Sequence, residues 1–333
     1  MNLFHKTGWL AVLALLLCAL ASCKEAEEEE TTSGSMTGTI TFEVPYYVLK
    51  GETVTMTASG ILYPEDVQYR WLVSGVWSDS LSMASVTVRF PDSLGVFTVV
   101  ANAYASGYYV SSNSVDVTTI DTTWNTSLTG LSRSDQVVVD GRDGTPYHYV
   151  TIGGLDWFSQ NLAYQVKNTI GVPFKASPVT QRFFGTFYTW NEAVSSQVCP
   201  EGWRVPDQKD WEALGAAMNG GKALPFVDNW AGLGEKASAD AKLNDSRMWP
   251  YSPDNTHTNV FGWNALPLGH TFGDGSTFNG INAFGYWWCA TEKDADNGYF
   301  RYIWYDNGDF PMSYTGKNDM RANVRCVRTH PQS

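Results

Sequence analysis

Five cysteines are the residues whose chemistry depends most on spacing, and they stand at positions 18, 23, 199, 289 and 326. No two of them have the Cys-x-x-Cys spacing, which argues against a structural zinc site. The histidines at 148, 257, 270 and 330 are scattered along the chain, and no Ser-His-Asp order accompanies them. Each is better explained as a solvated or hydrogen-bonded loop residue. The spacing of these residues therefore disfavours catalysis.

The N-terminal segment predicts export and lipid attachment. Residues 9–20 form an apolar run after Lys6, too short to cross a hydrocarbon core of about 30 Å as a helix. Leu20-Ala21-Ser22-Cys23 resembles a bacterial lipobox, which makes 1–22 a lipoprotein signal peptide and Cys23 the lipid anchor. The alternative is an ordinary signal peptide with an incidental cysteine. Two or three acyl chains on Cys23 would anchor the protein stably.

The acidic run after Cys23 refines the predicted location. Lys24 followed by the glutamates of 25–30 resembles the export signal of Bacteroidota surface lipoproteins, although such a run is also typical of a solvated tether. We therefore predict an outer-membrane lipoprotein exposed at the cell surface. With Cys18 removed and Cys23 acylated, three cysteines remain, which allows one disulfide and one free thiol, or no disulfide.

Charge limits the partners of the protein. After residues 1–22 are removed, 21 Lys and Arg stand against 34 Asp and Glu, so the net charge is about −13. Nucleic acid and anionic membrane surfaces are therefore unsuitable partners, and the membrane is contacted only through the anchor. The many Trp, Tyr, Gly, Ser and Thr residues are typical of a β-rich extracellular protein.

Composition divides the rest of the chain into four parts. We predict an acidic tether over 23–36, an all-β domain over 37–120, a Thr/Ser/Gly-rich linker over 121–134 and a second domain over 135–329. Alternating apolar residues mark six strands in the first domain, at 39–44, 53–57, 67–73, 86–90, 96–103 and 115–118. This spacing predicts a β-sandwich with Trp71, on a central strand, between its sheets. It resembles PKD and immunoglobulin-like modules, which are most often spacers and less often binding domains.

The second domain contains a predicted hairpin and a predicted helix. Residues 137–152 read as two strands joined by Asp-Gly turn residues. Asp207 is a typical N-cap, and Trp211, Leu214 and Met218 follow at the spacing of one buried helix face.

Five motifs in this domain carry a family resemblance. They are Asp-Gly-Arg-Asp-Gly-Thr-Pro-Tyr at 140–147, Trp-Phe-Ser-Gln-Asn-Leu at 157–162, Cys-Pro-Glu-Gly-Trp-Arg-Val-Pro at 199–206, Asn-Ala-Phe-Gly-Tyr-Trp-Trp-Cys-Ala-Thr-Glu at 282–292 and Val-Arg-Cys-Val-Arg at 324–328. In this order they resemble the Fibrobacter succinogenes major paralogous domain family. The resemblance implies an α+β domain with a C-type lectin-like fold, shared with formylglycine-generating enzymes. It also implies a Cys199–Cys326 disulfide and a small buried residue at Cys289.

The same resemblance directs attention to the long loops. Trp249, Tyr251 and Trp263 lie in the presumed long-loop region of 228–280, and Asp306, Asn307 and Asp309 follow the strand after it. Exposed aromatic rings with amides and carboxylates nearby suit sugar stacking or protein contact. We predict a ligand site there, with the alternative that these rings form the core of a domain with little regular structure.

Calcium is the only cofactor for which the sequence offers candidate ligands. Asp294, Asp296, Asp306 and Asp309 lie in two acidic turns and are weak candidates for its oxygen ligands. The Glu-Pro-Asn, Gln-Pro-Asp and Trp-Asn-Asp tripeptides of sugar-binding C-type lectins are absent from the sequence. The alternative for these aspartates is ordinary turn chemistry, and we predict no metal and no other cofactor.

The predicted function is non-enzymatic recognition or adhesion at the cell surface, with a glycan or a surface protein as partner. One alternative is a formylglycine-generating-like oxidase, but that chemistry needs a closely spaced cysteine pair, and Cys289 and Cys326 are 37 residues apart. The other alternative is a structural component of a surface layer or pilus tip without a small ligand.

Replacing Cys23 by Ala should release the protein from membranes, because no acyl chain could then be attached. Fractionation of cells that produce the wild type and the C23A variant measures this, with Cys18→Ala as the matched control that should stay anchored. A C23A protein that remains in the membrane fraction would contradict the lipid anchor.

Overall fold

The computed structural model describes residues 34–74, 83–122, 126–166, 169–195 and 198–331. The predicted signal peptide, Cys23 and nearly all of the predicted tether lie outside the described residues. Within these ranges the chain is mostly β-structure with short helices, and none of the helices is long and apolar enough to cross a membrane.

The N-terminal unit consists of two sheets, one in the order β1-β3-β5 and the other in the order β2-β7-β6-β4. Its strands are β1 (Thr37–Phe42), β2 (Tyr47–Leu49), β3 (Thr53–Tyr63), β4 (Gln68–Val73), β5 (Ser85–Arg89), β6 (Gly95–Tyr104) and β7 (Ser111–Ile120). Buried and exposed residues alternate along β4 and β5, so the sheets bury one face each around a shared core. Trp71 lies in that core, 5.2 Å from the ring of Phe42. Its strand β4 is an edge strand and not the central strand that we predicted.

The C-terminal unit has several small sheets around a tryptophan-rich core. Its strands are β8 (Leu128–Thr129), β9 (Val137–Val139), β10 (Pro146–Ile152), β11 (Leu155–Phe158), β12 (Val172–Pro173), β13 (Thr186–Phe187), β14 (Lys242–Leu243), β15 (Ser246–Arg247), β16 (His270–Phe272), β17 (Phe278–Asn279), β18 (Phe284–Glu292), β19 (Asn297–Trp304), β20 (Met312–Gly316), β21 (Met320–Arg321) and β22 (Val327–Thr329). The main sheets have the orders β22-β11-β10-β9 and β18-β19-β20.

The helices of this unit are short. They are α1 (Gln181–Phe184), α2 (Trp190–Ser195), α3 (Gln208–Met218) and α4 (Leu233–Ala237), with two 3-10 turns at Phe174–Ala176 and Pro178–Thr180. The predicted helix start is confirmed, because Asp207 and Asp210 form a reciprocal capping box at α3. The predicted face of this helix is also buried, through Trp211, Leu214 and Met218. The predicted hairpin is present as β9 and β10, with Pro146 opposite Val139.

The two units pack directly against each other. Leu128–Thr129, in the segment that composition marks as a linker, pairs with Lys242–Leu243 and so belongs to a sheet of the C-terminal unit. The ring of Tyr47 lies 5.7 Å from that of Phe174, and its backbone N–H donates to Ser177 Oγ at 3.3 Å. An apolar cluster that contains Ile120 continues across this junction. The sandwich therefore holds the C-terminal unit in a fixed orientation.

The predicted Cys199–Cys326 disulfide is confirmed, and Cys289 is a buried free thiol. The bond joins the segment before α3 to the segment before β22, across 127 residues of sequence. Such a cross-link stabilises a protein mainly because it restricts the unfolded chain.

Replacing both Cys199 and Cys326 by Ala should lower the free energy of unfolding by about 3–5 kcal/mol, because the unfolded chain regains its freedom. Urea unfolding of the full chain measures this. Cys289→Ala is the matched control and should cost about 1 kcal/mol, since it removes one buried sulfur and no cross-link. Equal losses in the two variants would show that the disulfide contributes nothing beyond packing.

Candidate functional site: an aromatic face on the C-terminal sheet

Two of the predicted ligand-binding rings are buried. Trp249 is 1% exposed and stacks on His257 with ring centroids 5.0 Å apart. Trp263 is 0% exposed and lies between the rings of Trp211 and Trp287. Neither ring can contact a ligand in solution, so the prediction that they form a binding surface is wrong. They are core residues because the short helices and strands of this unit bury few side chains of their own. Large rings from the loops therefore fill the interior.

Tyr251 differs from its two neighbours in being 77% exposed. The adjacent Ser252 donates its hydroxyl to Asp306 Oδ1 at 3.3 Å. Asn255 Nδ2 donates to the Asn307 carbonyl at 3.0 Å. The structure therefore brings the loop of Tyr251 beside the predicted turn at 306–309.

In the turn at 306–309, the side chains of Asn307 and Asp309 accept hydrogen bonds from backbone N–H groups. Asn307 Oδ1 accepts from the backbone N–H of Asp309 at 2.9 Å. Asp309 Oδ1 accepts from the N–H of Gly232 at 3.1 Å. Asp306 is the exposed member of the set. Asn307 and Asp309 thus shape the turn, while Asp306 and Tyr251 are accessible to a partner.

The candidate calcium ligands form turns of their own. Asp294 Oδ1 accepts from the N–H groups of Asp296 and Asn297 at 3.0 and 2.9 Å. The Asn297 side chain and these backbone donors lower the pKa of Asp294 to about 2. In the part of the chain that the structure describes, no three His, Cys, Asp or Glu side chains are placed to share a metal ion. The four aspartates that the sequence offers as calcium ligands are therefore not gathered into one carboxylate cluster in the described part of the chain.

Among the described residues there is also no pair of free cysteine thiols. Cys326 is bonded to Cys199, and burial raises the pKa of Cys289 to about 12. His257 Nδ1 lies 2.9 Å from Ser238 Oγ, but both residues are buried, and burial lowers the pKa of His257 to about 4. These groups are therefore shielded from any substrate and act in packing.

The sheet formed by β18 and β19 carries paired aromatic residues on one face. Phe284 lies opposite Trp304, Tyr286 opposite Tyr302, and Trp288 opposite Phe300. Side chains alternate between the two faces of a strand, so all six rings project from the same side. The alternate residues Trp287, Cys289 and Ile303 point into the core.

The rings stack across the strands. The centroids of Phe284 and Trp304 are 6.0 Å apart with planes at 8°, and those of Tyr286 and Tyr302 are 5.9 Å apart at 27°. Trp288 and Phe300, at the other end of the ladder, are buried, whereas Trp304 is 38% exposed. Such cross-strand pairs hold one another in place and present ring edges and the last ring to solvent.

A neighbouring strand extends this surface. His270 on β16 lies 5.1 Å from the ring of Tyr286, and Phe272, two residues further, is 52% exposed. Burial lowers the pKa of His270, which favours its neutral form, and raises the pKa of Tyr286 to about 12. We call Phe272, Phe284, Tyr286, Tyr302 and Trp304, with His270, the aromatic face.

Several polar atoms on this face have no partner among the described residues. The hydroxyls of Tyr286 and Tyr302 make no hydrogen bond to any described residue. His270 lies opposite Asn279, and the buried atoms His270 Nδ1 and Asn279 Nδ2 also lack a partner in the described ranges. An amphipathic ligand could use the rings and the two tyrosine hydroxyls together, whereas His270 Nδ1 and Asn279 Nδ2 are enclosed.

The sequence contains a signal for this face that the prediction of a loop site overlooked. Phe284-x-Tyr286-x-Trp288 and Phe300-x-Tyr302-x-Trp304 both place an aromatic residue at every second position. Two such strands joined by a short turn, rich in Asp and Asn, predict a hairpin with a ladder of rings on one side.

Replacing Trp263 by Ala should cost about 3–5 kcal/mol of unfolding free energy, because it leaves a large cavity. Trp304→Ala should cost about 1 kcal/mol, because that ring is partly exposed. Urea unfolding of the two variants measures the difference. Equal costs would show that Trp304 belongs to the core and not to an accessible face.

Comparison with known proteins bears out the family resemblance. The sequence of residues 150–328 matches the Fibrobacter succinogenes major domain. Among curated proteins, no match was found. The matched region includes α3, both cysteines of the disulfide and the whole aromatic face. Because the match spans more than half of the chain, the protein belongs to the Fibrobacter succinogenes major domain family.

Proposed function

We propose that this protein is a lipid-anchored, surface-exposed protein of the outer membrane that binds a glycan, without catalysis, through the aromatic face of its C-terminal unit. The observation that carries the proposal is the ladder of partly buried rings at Phe284, Tyr286 and Tyr302, which ends at the exposed ring of Trp304. We also propose the finer fold assignments: a PKD/immunoglobulin-like sandwich followed by a C-type lectin-like domain.

The geometry of the sandwich suits a spacer. Gly34 pairs with Tyr108 beside the first residues of β7, whereas Ile120, the last residue of β7, borders the C-terminal unit. The ten residues of β7 extend about 33 Å at roughly 3.3 Å per residue. The chain thus enters the sandwich at one end and leaves it at the other. A tether from Cys23 to Gly34 would hold the C-terminal unit on the side away from the membrane.

The chemistry of the aromatic face favours a sugar. The exposed rings of Phe272 and Trp304 can contact the C–H groups of a sugar, while the hydroxyls of Tyr286 and Tyr302 suit its hydroxyl groups. No lysine or arginine belongs to the aromatic face, so the face offers no cation to a charged ligand. A surface protein is the second partner class, because Tyr and Trp are also common at protein interfaces. The two alternative functions would not need these rings to be accessible. They are a purely structural surface or pilus-tip component and a formylglycine-generating-like oxidase.

A glycan array probed with the full chain tests the proposal. Replacing both Phe272 and Trp304 by Ala should weaken binding to a positive glycan at least about fivefold, since loss of two ring contacts costs about 1–3 kcal/mol. Tyr314→Ala is the matched control, because Tyr314 is an exposed ring on the same sheet but on its other face.

The double variant should unfold at a temperature close to that of the wild type, which separates loss of the site from loss of the fold. If no glycan on the array binds, but a surface protein is captured and its capture depends on Trp304, the partner is a protein and not a glycan. Unchanged glycan binding by the double variant would show that the aromatic face is not the site.

A further inference from the structure

The junction between the two units contains a cation without a counter-charge among the described residues. Lys175 lies in a left-handed conformation (φ 46°) in the turn that packs on the sandwich. Its ammonium sits 4.9 Å from the ring centroid of Tyr46 and 6.0 Å from that of Tyr47. In the described part of the chain it has no hydrogen-bond or ion-pair partner. Burial lowers its pKa, because the charged form is incompletely solvated there.

Lys175 separates two clefts at this junction, which we call the junction clefts. The first has a volume of about 360 Å³, and its polar lining includes Asn244, Ser246 and Arg247. The second has a volume of about 400 Å³ and includes Ser276 and Thr277. Both volumes fall in the usual range of ligand pockets, roughly 300–1,000 Å³.

The charge around the junction clefts is unlike that of the whole chain. Although Asp and Glu outnumber Lys and Arg by 34 to 22, no carboxylate of the described residues lines either cleft. Two acidic side chains contact lining residues: Asp274 accepts from Ser276, and Asp240 forms an exposed ion pair with Arg247 at 3.3 Å. Asp245 is exposed beside Asn244. The clefts thus present to an anion Lys175, which lacks a counter-charge among the described residues, and Arg247, whose one ion pair is exposed to solvent and therefore weak.

The first cleft also contains an acceptor that suits a hydroxyl group. Asn244 Nδ2 donates to the Thr119 carbonyl at 2.8 Å, while Asn244 Oδ1 is buried and has no partner in the described part of the chain. A bare anion cannot satisfy this oxygen, because it brings no donor. A ligand with a carboxylate and hydroxyls could satisfy both the cations and the amide. Apolar side chains in the same lining, such as Val96 and Met248, suit the C–H face of a sugar ring.

We propose that the first junction cleft binds a carboxylated sugar, with the carboxylate at Lys175 and Arg247 and a sugar hydroxyl directed to Asn244 Oδ1. The second cleft leaves room for the next residue of an acidic glycan. The site uses both units, so it exists only while the sandwich and the C-terminal unit stay docked. It does not depend on the aromatic face.

Ligand protection of the lysine tests the proposal in the unmodified full chain. We expect D-glucuronate to slow acetylation of Lys175 at least fivefold, as followed by mass spectrometry of the modified peptides. Lys222, which is exposed, is the internal control and should react at an unchanged rate. Glucuronamide, which has the same hydroxyls but no charge, should not protect Lys175. No protection by glucuronate, or equal protection of Lys222, would overturn the site.

Variants and other anions complete the test. Lys175→Met should weaken glucuronate binding at least tenfold in calorimetry, whereas Lys222→Met and Trp304→Ala should leave it unchanged. If Lys175→Met does not fold, Arg247→Gln should still weaken binding. If inorganic phosphate protects Lys175 as well as glucuronate does, the cleft is a general anion site, and the proposal that it binds a sugar is refuted. Binding that survives in Lys175→Met and Arg247→Gln would also refute the proposal.

Discussion

The C-terminal unit depends on a buried arginine whose side chain supplies hydrogen bonds that regular secondary structure would otherwise provide. Arg325 is almost fully buried, and its guanidinium donates to the carbonyls of Phe158, Trp263 and Asn264 and to Asn161 Oδ1. Loops that are neither helix nor sheet leave carbonyl groups unpaired, and an unpaired carbonyl in the core is costly. One planar group with five donors satisfies several of them at once. Burial without a carboxylate partner among the described residues lowers the pKa of Arg325.

The neighbours of Arg325 extend this arrangement along the last motif of the chain. Cys326 forms the disulfide, and Arg328 Nε donates to the buried Asp156 at 2.9 Å. A second buried arginine, Arg301, lies against the ring of Trp230 and donates to the carbonyl of Phe226 at 2.5 Å. Arg301 points inward from the strand whose next residue, Tyr302, points outward. The outer rings of the aromatic face therefore stand on a sheet whose inner side is fixed by hydrogen bonds and by the tryptophan core.

The docking of the two units determines where the candidate sites lie. Because β2 and the end of β7 pack against the turn at Lys175 and the strand Lys242–Leu243, the sandwich supplies one wall of the junction clefts. Gly280 to Phe284 connects this region to the aromatic face, since Ile281 and Asn282 line the first cleft and Phe284 begins the ladder of rings. A sandwich on a flexible linker would not hold its wall of the junction clefts against the C-terminal unit.

Local patterns in the sequence determined the elements whose stabilising contacts are local. Alternating residues predicted the sandwich strands, Asp207 the start of α3, and the Asp-Gly turn the hairpin of β9 and β10, because periodicity, caps and turns act over a few residues. Resemblance to the family supplied the disulfide, which joins residues 127 apart and leaves no local trace. Only the tertiary structure decided which aromatic rings are core. Trp263 and Trp304 look alike in sequence, but Trp263 is enclosed by rings from distant segments, whereas Trp304 ends a strand at the surface. The role of a ring in a loop-rich domain depends on non-local contacts, and so does the environment of Lys175.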